Sequence, residues 1–175
     1  MYFKKLIGQK CYLSPIDIND FKKYAQWWND PELVKYLQNN WVITAEKQKE
    51  NLISKSKLHH YSIIDNGTND LIGEVCFVDI NYVNRCGEIS IIIGNKEYQN
   101  KGHGKEALKL LIDYGYQSLS LNCIFLKVYE KNERAIRCYK SVGFKQSGMI
   151  RKGAYYNQSY DNFLIMDILP DEFKK

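Results

Sequence analysis

Residues 87–119 constrain the fold more than any other part of the chain, because they ask for a strand, a tight turn and a helix in immediate succession. "GEISIIIG" (87–94) is an apolar, β-branched run of strand character. "YQNKGHGKEA" (98–107) then places Gly102 and Gly104 on either side of His103, and "GKEALKLLIDYGYQSL" (104–119) has apolar residues at helical spacing. The start of a helix exposes N–H groups that no carbonyl of the same helix can reach, and the helix dipole adds positive potential there. Glycine lets a ligand approach the backbone with no β-carbon in the way. Lys101 and Lys105 add charge, so the junction is suited to phosphate. A turn that merely caps its helix is the plain alternative. The loop lacks the G-x-x-x-x-G-K-[ST] of nucleotide-hydrolysing proteins. It also follows strands of antiparallel character, not the opening of the parallel unit that a dinucleotide fingerprint requires.

The rest of the chain alternates between the two periodicities. "KCYLSPI" (10–16) predicts a strand, "DINDFKKYAQWW" (17–28) a helix, "NDPELVKYL" a short helix opened by Pro31, and "TAEKQKENLISKSK" (44–57) a helix capped by Thr44. "HHYSIID" (59–65), "LIGEVCFVDI" (71–80) and "GEISIIIG" read as an antiparallel meander joined by turn residues. After the helix at 104–119 come a strand at 122–129, a helix at 132–142 closed by Gly143, and two final strands around a turn near Asn157. This order predicts a single α/β domain over residues 1–175, built on a mixed sheet.

Composition limits what such a domain does. Hydrophobic residues make up 45% and charged residues 26%, the balance of a soluble globular chain. The longest apolar runs fall short of a membrane span. Cys11, Cys76, Cys86, Cys123 and Cys138 are scattered and odd in number, which points to reduced thiols and a cytoplasmic setting. A net charge of +5 fits an anionic small ligand equally with a solvated surface. The His59-His60 pair lacks an acidic or Cys partner at ligand spacing and reads as the start of a strand, so no metal is expected.

Gln99-x-x-Gly102-x-Gly104 resembles the Q/R-x-x-G-x-G/A signature of the GCN5-related N-acetyltransferase (GNAT) superfamily. "VYEKNERAIRCYKSVGF" (128–144) resembles its downstream N-x-x-A-x-x-x-Y…G-F segment. The resemblance covers nearly the whole chain and implies the GNAT fold, a mixed seven-stranded sheet flanked by helices. It also implies acetyl-CoA as co-substrate and acetyl transfer to a primary amine. Gln99, Asn100, Lys101, Gly102, His103, Gly104 and Lys105 would then meet the pyrophosphate. Ile91, Ile92 and Ile93 would lend backbone groups to the pantetheine and to the oxyanion of the transition state. Asn132 and Ala135 would lie along the cofactor, although Asn132 serves equally as the cap of its own helix.

An amine with a pKa of about 10.4 must lose its proton to attack, at a cost of about 4 kcal/mol at neutral pH. Glu88, three residues before Ile91, is the candidate base, directly or through water; a solvent-facing strand residue is the alternative. Tyr139 lies two helical turns from Asn132 and, by the resemblance, is the general acid for the leaving thiolate. Trp28 and Tyr156 are candidates for the acceptor side, with core packing the alternative for the tryptophan. The acceptor itself stays open. Within the superfamily the chain looks most like bacterial spermidine acetyltransferases, with ribosomal-protein N-terminal and amino-sugar enzymes also similar. "YLQNNWVITAEKQ" carries a single Glu where a polyamine would call for several carboxylates. A small-molecule amine or a peptide N-terminus is the expected partner, without nucleic acid or membrane, and self-association is left open. A non-catalytic acyl-CoA-binding module is the alternative from another class.

Overall fold

A computed structural model describes residues 1–37, 41–55, 59–156 and 158–174. Among the described residues eight strands are ordered β1-β2-β3-β4-β5-β6-β8-β7. They are β1 (Leu6–Ile7), β2 (Cys11–Pro15), β3 (His60–Asp65), β4 (Leu71–Asn81), β5 (Cys86–Ile93), β6 (Cys123–Tyr129), β7 (Lys145–Tyr156) and β8 (Ser159–Ile168). The helices are α1 (Phe21–Trp28), α2 (Pro31–Val34), α3 (Ala45–Lys55), α4 (His103–Gln117) and α5 (Glu133–Val142). The sheet is mixed: β5 pairs with β6 in parallel, while β2–β3, β3–β4, β6–β8 and β7–β8 are antiparallel.

The expected α/β order holds, with one more strand than the seven foreseen. The addition is β1, whose two residues pair Leu6 with Leu13 and Ile7 with Tyr12. Two residues are too few to show an alternation in sequence. The helix expected over 17–28 is divided, because the Asp17 side chain accepts the Asn19 N–H and a 3-10 turn occupies Ile18–Asp20 before α1 begins. Thr44 caps α3 as expected, accepting the Lys47 N–H at 3.1 Å. The turn at Asn157 and positions 56–57 of the expected third helix lie outside the described residues.

The chain divides into two compact units. The first comprises Met1–Phe77 with Ser90–Leu111. Its core gathers Tyr12, Tyr24, Trp27, Leu52, Ile64 and Leu71. Helix α1 contributes Tyr24, Ala25 and Trp27 from one stripe, and every residue of β3 is buried, as for a strand covered on both faces. Each fully buried Leu or Ile here contributes about 1.5–3 kcal/mol relative to exposure. The second unit comprises Val78–Ile89 with Ile112–Lys175. Its interior holds Ile124, Leu126, Val128, Leu164, Met166 and Ile168, on the facing ladders of β6 and β8. No helix among the described residues is long and apolar enough to cross a membrane.

Candidate functional site

In the first unit, β5 ends at Ile93 and the chain turns at Gly94, where a Cβ would stand 2.1 Å from the Trp27 indole. The Asn95 side chain then caps a 3-10 turn at Lys96–Tyr98 by accepting the Glu97 N–H at 3.0 Å. Gln99 reaches back, its Nε2 donating to Ile93 O at 2.9 Å, so the loop is tied to the strand end. Asn100 (φ 59°) and Gly102 (φ 89°) are both left-handed, and together they reverse the chain into α4. The first bond of that helix runs from Glu106 N to Gly102 O at 3.1 Å. The N–H groups of Gly102, His103, Gly104 and Lys105 have no acceptor among the described residues. Lys101 and Lys105 are exposed, and neither is paired with a carboxylate among the described residues.

The two glycines serve different purposes. Gly102 is required by its backbone angle. Gly104 is not: its φ lies outside the left-handed region, and an added Cβ would stand 3.5 Å from Ile93 Cγ1 and 3.9 Å from Ile91 Cδ1, at ordinary contact distance. The loop therefore rests on the Ile91 and Ile93 side chains, with Ile92 between them in β5.

His103, grouped above with the residues expected at the pyrophosphate, does not present its side chain to solvent. Its side chain is buried, and Nε2 is bonded to Asp65 Oδ1 at 2.9 Å while the Tyr98 ring packs edge-on at 5.4 Å. Nδ1 has no hydrogen-bond partner among the described residues. The imidazole thus anchors the loop inward. Burial pushes the Asp65 carboxyl up. The N–H groups of Thr68 and Gly67, the Thr68 hydroxyl and His103 outweigh that and hold it below the usual carboxylate range. Sequence reasoning missed Asp65, which reads there as the last residue of the strand expected over 59–65.

In the second unit, the β5–β6 ladder runs through Cys86↔Cys123, Gly87↔Ile124 and Glu88↔Phe125. Glu88 Oε2 accepts from Lys127 Nζ at 3.1 Å, so the expected base is a half-buried partner in an ion pair. Lys127 was not foreseen, although a lysine inside the apolar run "CIFLKVY" is the signal that marks it. Asn132 serves as the N-cap of α5, its Oδ1 accepting the Ala135 N–H at 3.2 Å, so that oxygen is committed to the helix. Tyr139 and Ala135 follow on α5, both half-buried. The Tyr139 ring packs on Phe144 with centroids 5.9 Å apart and planes at 65°. Burial, and then the nearby Cys138, push the Tyr139 phenol above its ordinary value. Gly143, at φ 122°, closes the helix by donating to Tyr139 O and Lys140 O.

The residues expected on the acceptor side are placed less decisively. Trp28 packs against the core of the first unit, and its Nε1 donates to the buried Glu74 at 3.1 Å. The other Glu74 oxygen meets His60 Nε2 at 2.7 Å, so His60 opens β3 with its imidazole engaged. Tyr156 stands opposite Ser159 in the β7–β8 ladder, and its side chain lies outside the described part of the structure.

The start of α4 thus offers N–H groups without acceptors beside exposed lysines, and comparison with known proteins specifies the class. Residues 10–145 match the acetyltransferase (GNAT) domain family. The spermidine N(1)-acetyltransferase of Escherichia coli K12 is 31% identical over 169 residues, covering 92% of this chain and 87% of that protein. An uncharacterized N-acetyltransferase, p20, of Bacillus licheniformis is 31% identical over 153 residues, covering 83% of this chain and 85% of that one. Among solved structures, the Vibrio cholerae spermidine N-acetyltransferase in complex with CoA and spermine superposes with a TM-score of 0.86 at 24% identity, covering 94% of this chain and 98% of that one. A GNAT-family acetyltransferase of Bacillus anthracis superposes at 0.85 with 20% identity, covering 98% and 100%. The chain belongs to the GNAT family of N-acetyltransferases, with that family's open mixed sheet flanked by helices.

Proposed function

We infer that the chain moves an acetyl group from acetyl-CoA to the primary amine of a small molecule. One observation carries this function: neither left-handed backbone nor a clash at the β-carbon requires a glycine at Gly104. Neither its backbone angle nor its packing excludes a β-carbon, yet it stands at the start of α4 among N–H groups without acceptors. A diphosphate drawn against the main chain supplies the missing reason.

On this function the pyrophosphate meets the main chain from Gln99 to Lys105, with Lys101 and Lys105 as counter-charges. The pantetheine follows the end of β5, and a main-chain N–H among Ile91, Ile92 and Ile93 holds the thioester carbonyl and then its oxyanion. Glu88 takes the proton of the attacking amine, directly or through water, at Oε1, because Lys127 occupies Oε2. Tyr139 returns a proton to the departing thiolate, a role supported by its place in the N-x-x-A-x-x-x-Y motif and by a phenol held in its neutral form. Ala135 leaves room beside α5. Trp28 and Tyr156 contact the acceptor on the strength of the resemblance alone. Five free cysteines favour the cytoplasm as the place of action.

The 31%-identical spermidine acetyltransferase of E. coli makes a polyamine the first acceptor to test. The experiment is thiol release from acetyl-CoA in the presence of spermidine, short peptides with free N-termini, or amino sugars. The expected result is acceleration by at least one amine, largest for spermidine. Binding of acetyl-CoA with no acceleration by any amine would contradict the function.

A further inference from the structure

The glycine turn is met by a second element, the β1–β2 turn at Gly8–Lys10. Glu106 Oε1 accepts the Gln9 N–H at 3.0 Å, and Oε2 accepts those of Lys10 at 2.7 Å and Cys11 at 2.8 Å. A carboxylate in the first turn of a helix ordinarily competes with an incoming anion for the field at the helix start. Here its oxygens are taken up by three N–H groups of another element. Asn66 braces the same turn from its other side, through Nδ2 to Gly8 O at 2.8 Å and Gln9 O at 3.0 Å, and through its N–H to Lys10 O at 2.9 Å.

The residue so held is Lys10. Its Nζ donates to Lys101 O at 2.8 Å and lies 3.5 Å from the position a Gly102 Cβ would take. No carboxylate pairs with it among the described residues. An ammonium has three N–H donors, so two remain. Lys101 and Lys105 are carried by the loop itself, whereas Lys10 is fixed at its N–H, its carbonyl and its amine. A charge held in this way loses less freedom when a ligand arrives.

We propose that Lys10 is a pyrophosphate-binding cation of the acetyl-CoA site, delivered to the glycine turn by the β1–β2 hairpin and positioned by Glu106. The proposal rests on the function given above for residues 99–105. Both phosphate-bearing parts of coenzyme A offer the same chemistry, and the place of Nζ beside Gly102 favours the diphosphate over the 3′-phosphate.

The test is calorimetric titration of wild type, Lys10→Met, Lys10→Gln, Lys10→Arg and Gly104→Val with acetyl-CoA and with acetyl-3′-dephospho-CoA, at low and high salt. Lys10→Gln keeps a donor for Lys101 O without the charge, so it separates a ligand role from a purely structural one and serves if Lys10→Met does not fold. Removing the charge is expected to raise the dissociation constant about tenfold for both ligands. Arg is expected to restore most of the affinity, and the neutral variants to show a shallower salt dependence. Wild-type affinity in Lys10→Gln, with Gly104→Val still weakened, would overturn the proposal and leave the loop's function standing. A penalty confined to acetyl-CoA would overturn the diphosphate assignment. Unaltered affinity in Gly104→Val would instead reject the pyrophosphate loop itself.

Discussion

A tyrosine serves as an acid at neutral pH only if it keeps its proton, and Tyr139 is placed to do so. Its ring is half-buried against Phe144, and burial pushes the phenol above its usual value of about 10. Tyr139→Phe is expected to lower kcat by about 10²–10⁴ while leaving acetyl-CoA affinity close to wild type. Because the raised value keeps the phenol protonated, wild-type kcat should show no alkaline fall due to this group below pH about 10. A fall below that pH that disappears in Tyr139→Phe would contradict the raised value, and an unchanged kcat in Tyr139→Phe would remove the tyrosine from the role. The place of Tyr139 on α5 was legible in sequence, at a fixed spacing from Asn132. His103 was not: a histidine between two glycines reads as exposed, and the Asp65 that buries it is 38 residues away. Asn132 was legible in both of its readings, and the structure commits its oxygen to the cap.

Between elements, the Glu106 grip on the β1–β2 turn has a pH signature. Burial pushes its carboxyl up, and the N–H groups of Cys11, Lys10 and Gln9 outweigh this and hold it below the usual carboxylate range. A carboxyl whose folded value is depressed stabilises the fold above its unfolded pKa of about 4.3, and that contribution is lost as pH falls through the folded value. Glu106→Gln should therefore be less stable than wild type at pH 7, by about 1 kcal/mol after allowance for partial exposure. In urea titrations the gap should close below pH about 4. A gap that is constant with pH would show that the charge of Glu106 is not what holds the turn. The elements themselves were largely readable. Thr44, Pro31 and Gly143 mark helix ends by local chemistry, and β3 to β6 fall within a few residues of their apolar runs. Strand β1 was not readable, because its evidence is a pairing with β2 and not a periodicity. The Glu106 grip was hidden for the same reason, since it joins residues 95 to 97 positions apart.

At the scale of the molecule, the family match over residues 10–145 includes parts of both compact units, with the glycine turn in the first and Tyr139 in the second. What the sequence left open is the acceptor, because its recognition depends on which side chains a tertiary fold gathers, and no spacing along the chain encodes that. The most direct measurement is a crystal structure of the protein with coenzyme A. The account predicts the diphosphate within hydrogen-bond distance of the N–H groups of Gly102 to Lys105, and the thiol end directed along β5 past Ile93. A diphosphate bound elsewhere, or a coenzyme lying in the opposite direction, would contradict it.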